Sequence, residues 1–232
     1  MLIITGGTKG IGKGILEFFA SKGQNIITCA RNESDLLALK EEISKKYQVK
    51  IWVKKIDLSQ KKEVLHFADF VKDILEKEKQ NLDLLINNAG IFVPSPLHQT
   101  ENDLFETLMQ TNFYAAYYLT HALLDTFKEQ KKGHIFNICS SDFSERGAYT
   151  VSKTALLGMN KVLHHELKPL NIKVTALLLG ATLTPSWEEA NIAKEFFITV
   201  EDVAETLFNT YSLSPSVSVE QITIEPSKKM EF

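Results

Sequence analysis

The chain has 232 residues, 44% of them apolar and 24% charged, with 26 basic against 29 acidic groups and a formal net charge of -3. Those proportions describe one globular domain, 1–232, and exclude a disordered or fibrous chain. Phosphate backbones are held by surplus Lys and Arg, so the charge balance also excludes nucleic acid and anionic membrane as main partners.

No run approaches the roughly 18 uninterrupted apolar residues of a membrane span. Met1 leads straight into an apolar run without a basic leader, so a cytoplasmic protein is expected. In chain order, short β-type runs fall at 2–5, 25–30, 49–54, 82–86, 134–139, 173–179 and 221–224. Longer amphipathic helical patterns separate them at 11–21, 33–46, 61–78, 102–129, 148–167 and 200–211. Strands joined by helices of that length require right-handed crossovers. The expected fold is therefore α/β, a doubly wound Rossmann-type sheet of about seven parallel strands with helices on both faces. Cys29 and Cys139 are too few for a disulfide scaffold, and the six histidines show no metal-ligand spacing, so reduced thiols and no metal are expected.

The first β run ends in TGGTKGIG, Thr5 to Gly12, and opens a helix. Glycine is needed where the chain turns tightly and its backbone must approach a pyrophosphate, whose charge the free N–H groups of a helix start then hold. Gly6, Thr8, Lys9, Gly10, Ile11 and Gly12 form this candidate cradle. The second β run ends Thr28-Cys29-Ala30-Arg31-Asn32, where an NAD-selective site would place an acidic residue against the ribose 2′-hydroxyl. A guanidinium offers a planar fork of donors to phosphate oxygens, so Arg31 with Lys9 points to NADP(H), with NAD(H) second. The alternative is a solvated loop arginine. Arg31 and Arg146 are the chain's two arginines beside 24 lysines.

Tyr149 and Lys153 lie four residues apart at a helix start, on one face, where an ammonium favours the ionised phenol. That spacing is common in a lysine-rich chain. Its place after the run 134–139 and the turn Ser140-Ser141-Asp142, at the carboxyl end of the sheet, is what gives it weight.

These residues together resemble the short-chain dehydrogenase/reductase family in its compact, single-domain form. The glycine turn is similar to that family's Thr-Gly-x-x-x-Gly-x-Gly, and Asn87-Asn88-Ala89-Gly90 to its Asn-Asn-Ala-Gly. Asp57-Leu58 resembles its adenine-contacting pair; Asn112, Ser141, Tyr149 and Lys153 stand at its catalytic Asn, Ser, Tyr and Lys. The resemblance extends to about residue 184. It implies hydride transfer between C4 of a nicotinamide and a small or medium carbonyl or secondary alcohol, with Tyr149 as general acid/base. It also implies that Lys153 holds the nicotinamide ribose, Ser141 (or Ser140) polarises the carbonyl oxygen, and Asn112 holds a water leading to solvent. Cofactor contacts are implied for Asp57, Leu58, Asn88, Ala89, Gly90, Tyr149, Lys153, Gly180, Thr182 and Thr184.

The pattern departs from the family in three places. The 141–149 segment is shorter than usual; Leu179-Gly180 replaces Pro-Gly; and the substrate-covering segment, within 185–212, is short. The end Ile222 to Pro226 lacks an Asp-Gly-Gly close, which disfavours an acyl-carrier-protein ketoreductase. A sugar-nucleotide epimerase is disfavoured because such relatives resemble a longer chain with a different glycine spacing. Arg146 is readable as a contact to a polar substrate or as a solvated loop residue. The patterns 102–129 and 148–167 are apolar over more than one stripe, with Phe113, Tyr114, Tyr117 and Tyr118 clustered in the first. Burial against the sheet is one reading; the family resemblance, whose members commonly pair these two helices across a twofold axis, implies a homodimer or homotetramer. The competing functional reading is an NADP(H)-binding sensor with little turnover, which has no need of an intact catalytic set.

Overall fold

A computed structural model describes residues 1–141, 147–185 and 192–228. Arg146, most of the shortened 141–149 segment and residues 186–191 of the covering segment lie outside the described residues.

Seven strands form one sheet: β1 (Leu2–Thr5), β2 (Ile26–Ala30), β3 (Ile51–Lys55), β4 (Leu84–Asn87), β5 (Gly133–Ser140), β6 (Ile172–Leu179) and β7 (Gln221–Ile224). Their order is β3-β2-β1-β4-β5-β6-β7 and every neighbouring pair is parallel. The chain winds outward from β1 on one side and from β4 on the other, which is the doubly wound arrangement expected. Ligands of open α/β sheets bind at such a reversal, beyond the carboxyl ends of the strands.

Alternation along the strands divides the core. Leu2 and Ile4 of β1 face one layer, with Ile15, Leu16 and Phe19 of α1 (Gly10–Ser21), Leu39 and Ile43 of α2 (Glu33–Lys46) and Val203 and Leu207 of α7 (Val200–Tyr211). Ile3 faces the other, with Val64, Phe67 and Val71 of α3 (Lys61–Glu78) and Leu119, Leu123 and Phe127 of α5 (Ala115–Gln130). Cys139, Ala176 and Leu178 meet Leu156 and Leu157 of α6 (Ala148–Leu167) in a smaller cluster. Both faces are thus covered, as parallel sheets require.

Element ends move by up to two residues from the expected ones, the ordinary fraying of strand and helix termini. One element differs in kind. The single helix expected over 102–129 is α4 (Asn102–Met109), a π turn (Gln110–Tyr114) and α5. Leu108 before the turn and Ala115 and Leu119 after it are buried, while the widened turn also buries the polar Asn112. Hydrophobic periodicity cannot register such a one-residue slip.

Candidate active site

A cleft of about 1150 Å³ opens at the carboxyl ends of the strands. Every residue named above as a cofactor or catalytic candidate lines it except Asn112, which lies just behind its wall.

The glycine turn is built for close approach. Gly6 and Gly10 hold φ values of +70° and +53°, conformations that a side chain disfavours. A Cβ on Gly12 would run into the Gly6 carbonyl and the Asn88 amide. Thr5 and Asn88 bind this turn to the segment after β4. The Thr5 hydroxyl accepts N–H groups from Asn88 and Ala89 at 3.1 and 3.0 Å, and Asn88 Nδ2 donates to the Thr5 carbonyl at 2.9 Å. Thr184 stands across the turn from Gly10, and Thr182 is buried with its hydroxyl donating to the Gly180 carbonyl at 3.0 Å.

At the end of the cleft beside β2, Arg31 is exposed and Lys9 Nζ lies 3.1 Å from Asp35 Oδ2. Asp57 Oδ1 accepts from the Ser59 N–H and hydroxyl at 3.0 and 2.8 Å, which fixes the turn carrying Leu58. Asn87, although part of the Asn-Asn-Ala-Gly run, points into the sheet. Its Nδ2 donates to Thr120 Oγ1 at 3.0 Å and to Asn137 Oδ1 at 2.9 Å.

The catalytic candidates converge around the start of α6. Lys153 is buried, and its Nζ donates to the Ile138 carbonyl at 2.8 Å. Burial pushes its pKa below the ordinary lysine range, with nearby Cys139 opposing the shift. Asn112 Oδ1 accepts the Ile91 N–H at 2.8 Å while Nδ2 donates to the Ile91 carbonyl and to Ser152 Oγ, each at 3.0 Å. Ser152 donates onward to the Tyr149 carbonyl at 2.7 Å. A Cβ on Gly90 would approach Asn112 Oδ1 to 3.0 Å and Lys153 Nζ to 3.3 Å, so these three residues share one wall. The Tyr149 ring meets Phe92 edge-on, centroids 4.8 Å apart. Ser140, buried at the end of β5, and Ser141, half-buried beyond it, both reach the cleft.

Residues 1–195 match the short chain dehydrogenase family. The chain belongs to that family. An uncharacterized oxidoreductase of Staphylococcus saprophyticus is 27% identical to it over 228 residues, spanning 97% of this chain and 96% of that protein. A metagenomic short-chain oxidoreductase in complex with NADP superposes with a TM-score of 0.82 at 25% identity, covering 98% of this chain and 97% of that one. A β-ketoacyl-[ACP] reductase of Bacteroides thetaiotaomicron superposes with a TM-score of 0.83 at 31% identity, covering 97% and 96%.

Several residues of this short-chain dehydrogenase escaped sequence reasoning. Thr5 was visible as the first residue of the glycine motif but not as the acceptor that holds Asn88 and Ala89, and Ser152 only as the neighbour of Lys153. Nothing local marks Phe92, the Ile138 carbonyl or Asp35. Within 185–212, Val200–Tyr211 packs as α7 on α1 through Phe18, Phe19 and Phe208, and among the described residues of that segment Pro185 and Phe196 line the cleft.

Proposed function

We propose that the chain is an NADP(H)-dependent reductase of small or medium ketones and aldehydes, and dehydrogenase of the matching secondary alcohols, with Tyr149 as general acid/base. The observation that carries this reading is the meeting of Tyr149, Lys153 and Asn112 with the Ser140–Ser141 pair beside the glycine turn. Gly6, Thr8, Lys9, Gly10, Ile11 and Gly12 would hold the pyrophosphate and Arg31 the 2′-phosphate. Asp57 and Leu58 would meet adenine, Asn88 to Gly90 the ribose, and Gly180, Thr182 and Thr184 the nicotinamide end. NADP(H) is favoured by the two cations at the adenosine end and by the NADP held in the metagenomic relative.

When bound, the nicotinamide supplies or accepts the hydride at C4. Tyr149 gives its phenolic proton to the substrate oxygen as negative charge develops there, or takes it in the reverse direction. The Lys153 ammonium favours the ionised phenol and would hydrogen-bond the nicotinamide ribose of a bound cofactor, and burial makes its proton easier to pass on. Asn112 holds the water through which that proton is restored. Ser141 donates to the carbonyl oxygen. Phe92, Phe196 and Pro185 would give the substrate end an apolar wall, Pro185 and Phe196 being contributed by the substrate-covering segment 185–212.

The test is NADPH consumption, followed by absorbance, against methyl ketones, aldehydes, β-keto esters and a β-ketoacyl thioester, with Tyr149→Phe as control. Carbonyl-dependent consumption that Tyr149→Phe abolishes is expected. Absence of consumption with every carbonyl overturns the reading in favour of a binding protein.

We propose in addition that α4, α5 and α6 pair two copies of the chain. The exposed side chains on them include Tyr117 (43%), Val151 and Val162 (54%), and Tyr117 stacks with Phe113, which is itself half-buried against the core.

A further inference from the structure

We propose that Asp35 limits the preference of this site for NADP(H) over NAD(H) by acting as a built-in anion where the 2′-phosphate is received; the inference rests on the cofactor reading above. Lys9, Arg31 and Asp35 all line the adenosine end of the cleft. Asp35 Oδ2 holds Lys9 Nζ at 3.1 Å, whereas Arg31 has no carboxylate partner among the described residues. The Lys9 side chain is 73% exposed and that of Asp35 30%, so this ion pair stands at the cleft surface, where it exchanges partners readily.

A carboxylate at the third position of a helix ordinarily returns to the cap residue's N–H. Asp202 does so in α7, accepting the Thr199 N–H at 3.1 Å. In α2 the cap is Asn32, whose Oδ1 accepts the Ser34 and Asp35 N–H groups at 2.9 and 3.3 Å. The Asp35 carboxylate instead crosses to the phosphate-binding turn. Helix capping therefore does not account for where it points.

Two consequences follow from charge. A 2′-phosphate reaching Arg31 meets Asp35 as a like charge and must draw Lys9 away from it, so part of each new contact replaces an existing one. A 2′-hydroxyl has no such conflict, since a carboxylate accepts its hydrogen bond. Arg31 and Lys9 together set the preference for NADPH, and Asp35 narrows it, so the chain binds NADH as well, more weakly.

The test needs no carbonyl substrate. Dissociation constants of NADPH and NADH are measured by nicotinamide fluorescence on the full chain for the wild type, Asp35→Asn, Asp35→Ser and Lys9→Ala. Asp35→Asn/Lys9→Ala completes the cycle. Both Asp35 variants should tighten NADPH by about five- to tenfold at low salt, shrinking as salt is added. NADH should be unchanged or weaker, and the gain should at least halve in the Lys9→Ala background. NADPH binding that is unchanged or weaker in both Asp35 variants overturns the inference and leaves the cofactor reading standing. A wild type that binds neither dinucleotide overturns both.

Discussion

The Asn112 side chain pairs with the backbone of Ile91 in both directions, accepting its N–H at 2.8 Å and donating to its carbonyl at 3.0 Å. One amide thus ties the π turn between α4 and α5 to the segment after β4, and through Ser152 to the helix that carries Tyr149 and Lys153. Replacing Asn112 by Leu leaves buried donors and acceptors of Ile91 and Ser152 unpaired. The expected cost is about 2–4 kcal/mol of stability and a fall in kcat of at least about tenfold, read by urea unfolding and steady-state kinetics. Wild-type values in both assays would refute a positioning role for this amide.

Tyr149→Phe removes the proton donor but keeps the ring that packs edge-on against Phe92. The kcat should fall by roughly 10²–10⁴, while NADPH still binds. Equal loss of NADPH binding and turnover would show instead that the hydroxyl matters chiefly for holding the cofactor.

The two serines at the end of β5 are separable. Ser141→Ala should lower kcat by about 10² with a smaller change in KM, as expected for a donor that tightens on developing negative charge. Ser140 is buried in the strand, in register with Leu179. Should Ser140→Ala prove the more damaging of the two, the carbonyl contact passes to Ser140.

Acid sensitivity follows from His134. Burial, aided by Lys173 and His164, lowers its pKa from the ordinary 6.5 to about 3, and its Nδ1 has no partner among the described residues. This base binds a proton more readily unfolded than folded. Its contribution is therefore complete above about pH 6.5 and is lost as pH falls toward 3. Urea unfolding between pH 7.5 and 4 should show stability falling by on the order of a few kcal/mol. His134→Gln should flatten that limb; an identical slope in the variant would remove His134 as its cause.

Sedimentation should give a dimer or tetramer at micromolar concentration. Tyr117→Glu with Val162→Glu, both at exposed positions, should shift it to monomer without loss of helical content. A monomeric wild type would sink the pairing of α4, α5 and α6.

Sequence alone determined the parallel α/β sheet, because apolar runs and amphipathic helices in alternation have few other ways to bury both faces. It determined the order of the glycine turn, Arg31, the Asn-Asn-Ala-Gly run and the Tyr149–Lys153 pair, because each is local and carried by residue type. Tertiary structure decided what depends on residues far apart in the chain. Burial of Lys153 against the Ile138 carbonyl shifts its pKa, the π turn swings Asn112 inward to Ile91, and Thr5 reaches across to Asn88. The Asp35 carboxylate likewise reads in sequence as an ordinary helix-start residue. Only the fold brings α2 against the phosphate-binding turn and hands that charge to Lys9, because a side chain's partner is set by which backbones the core packs together.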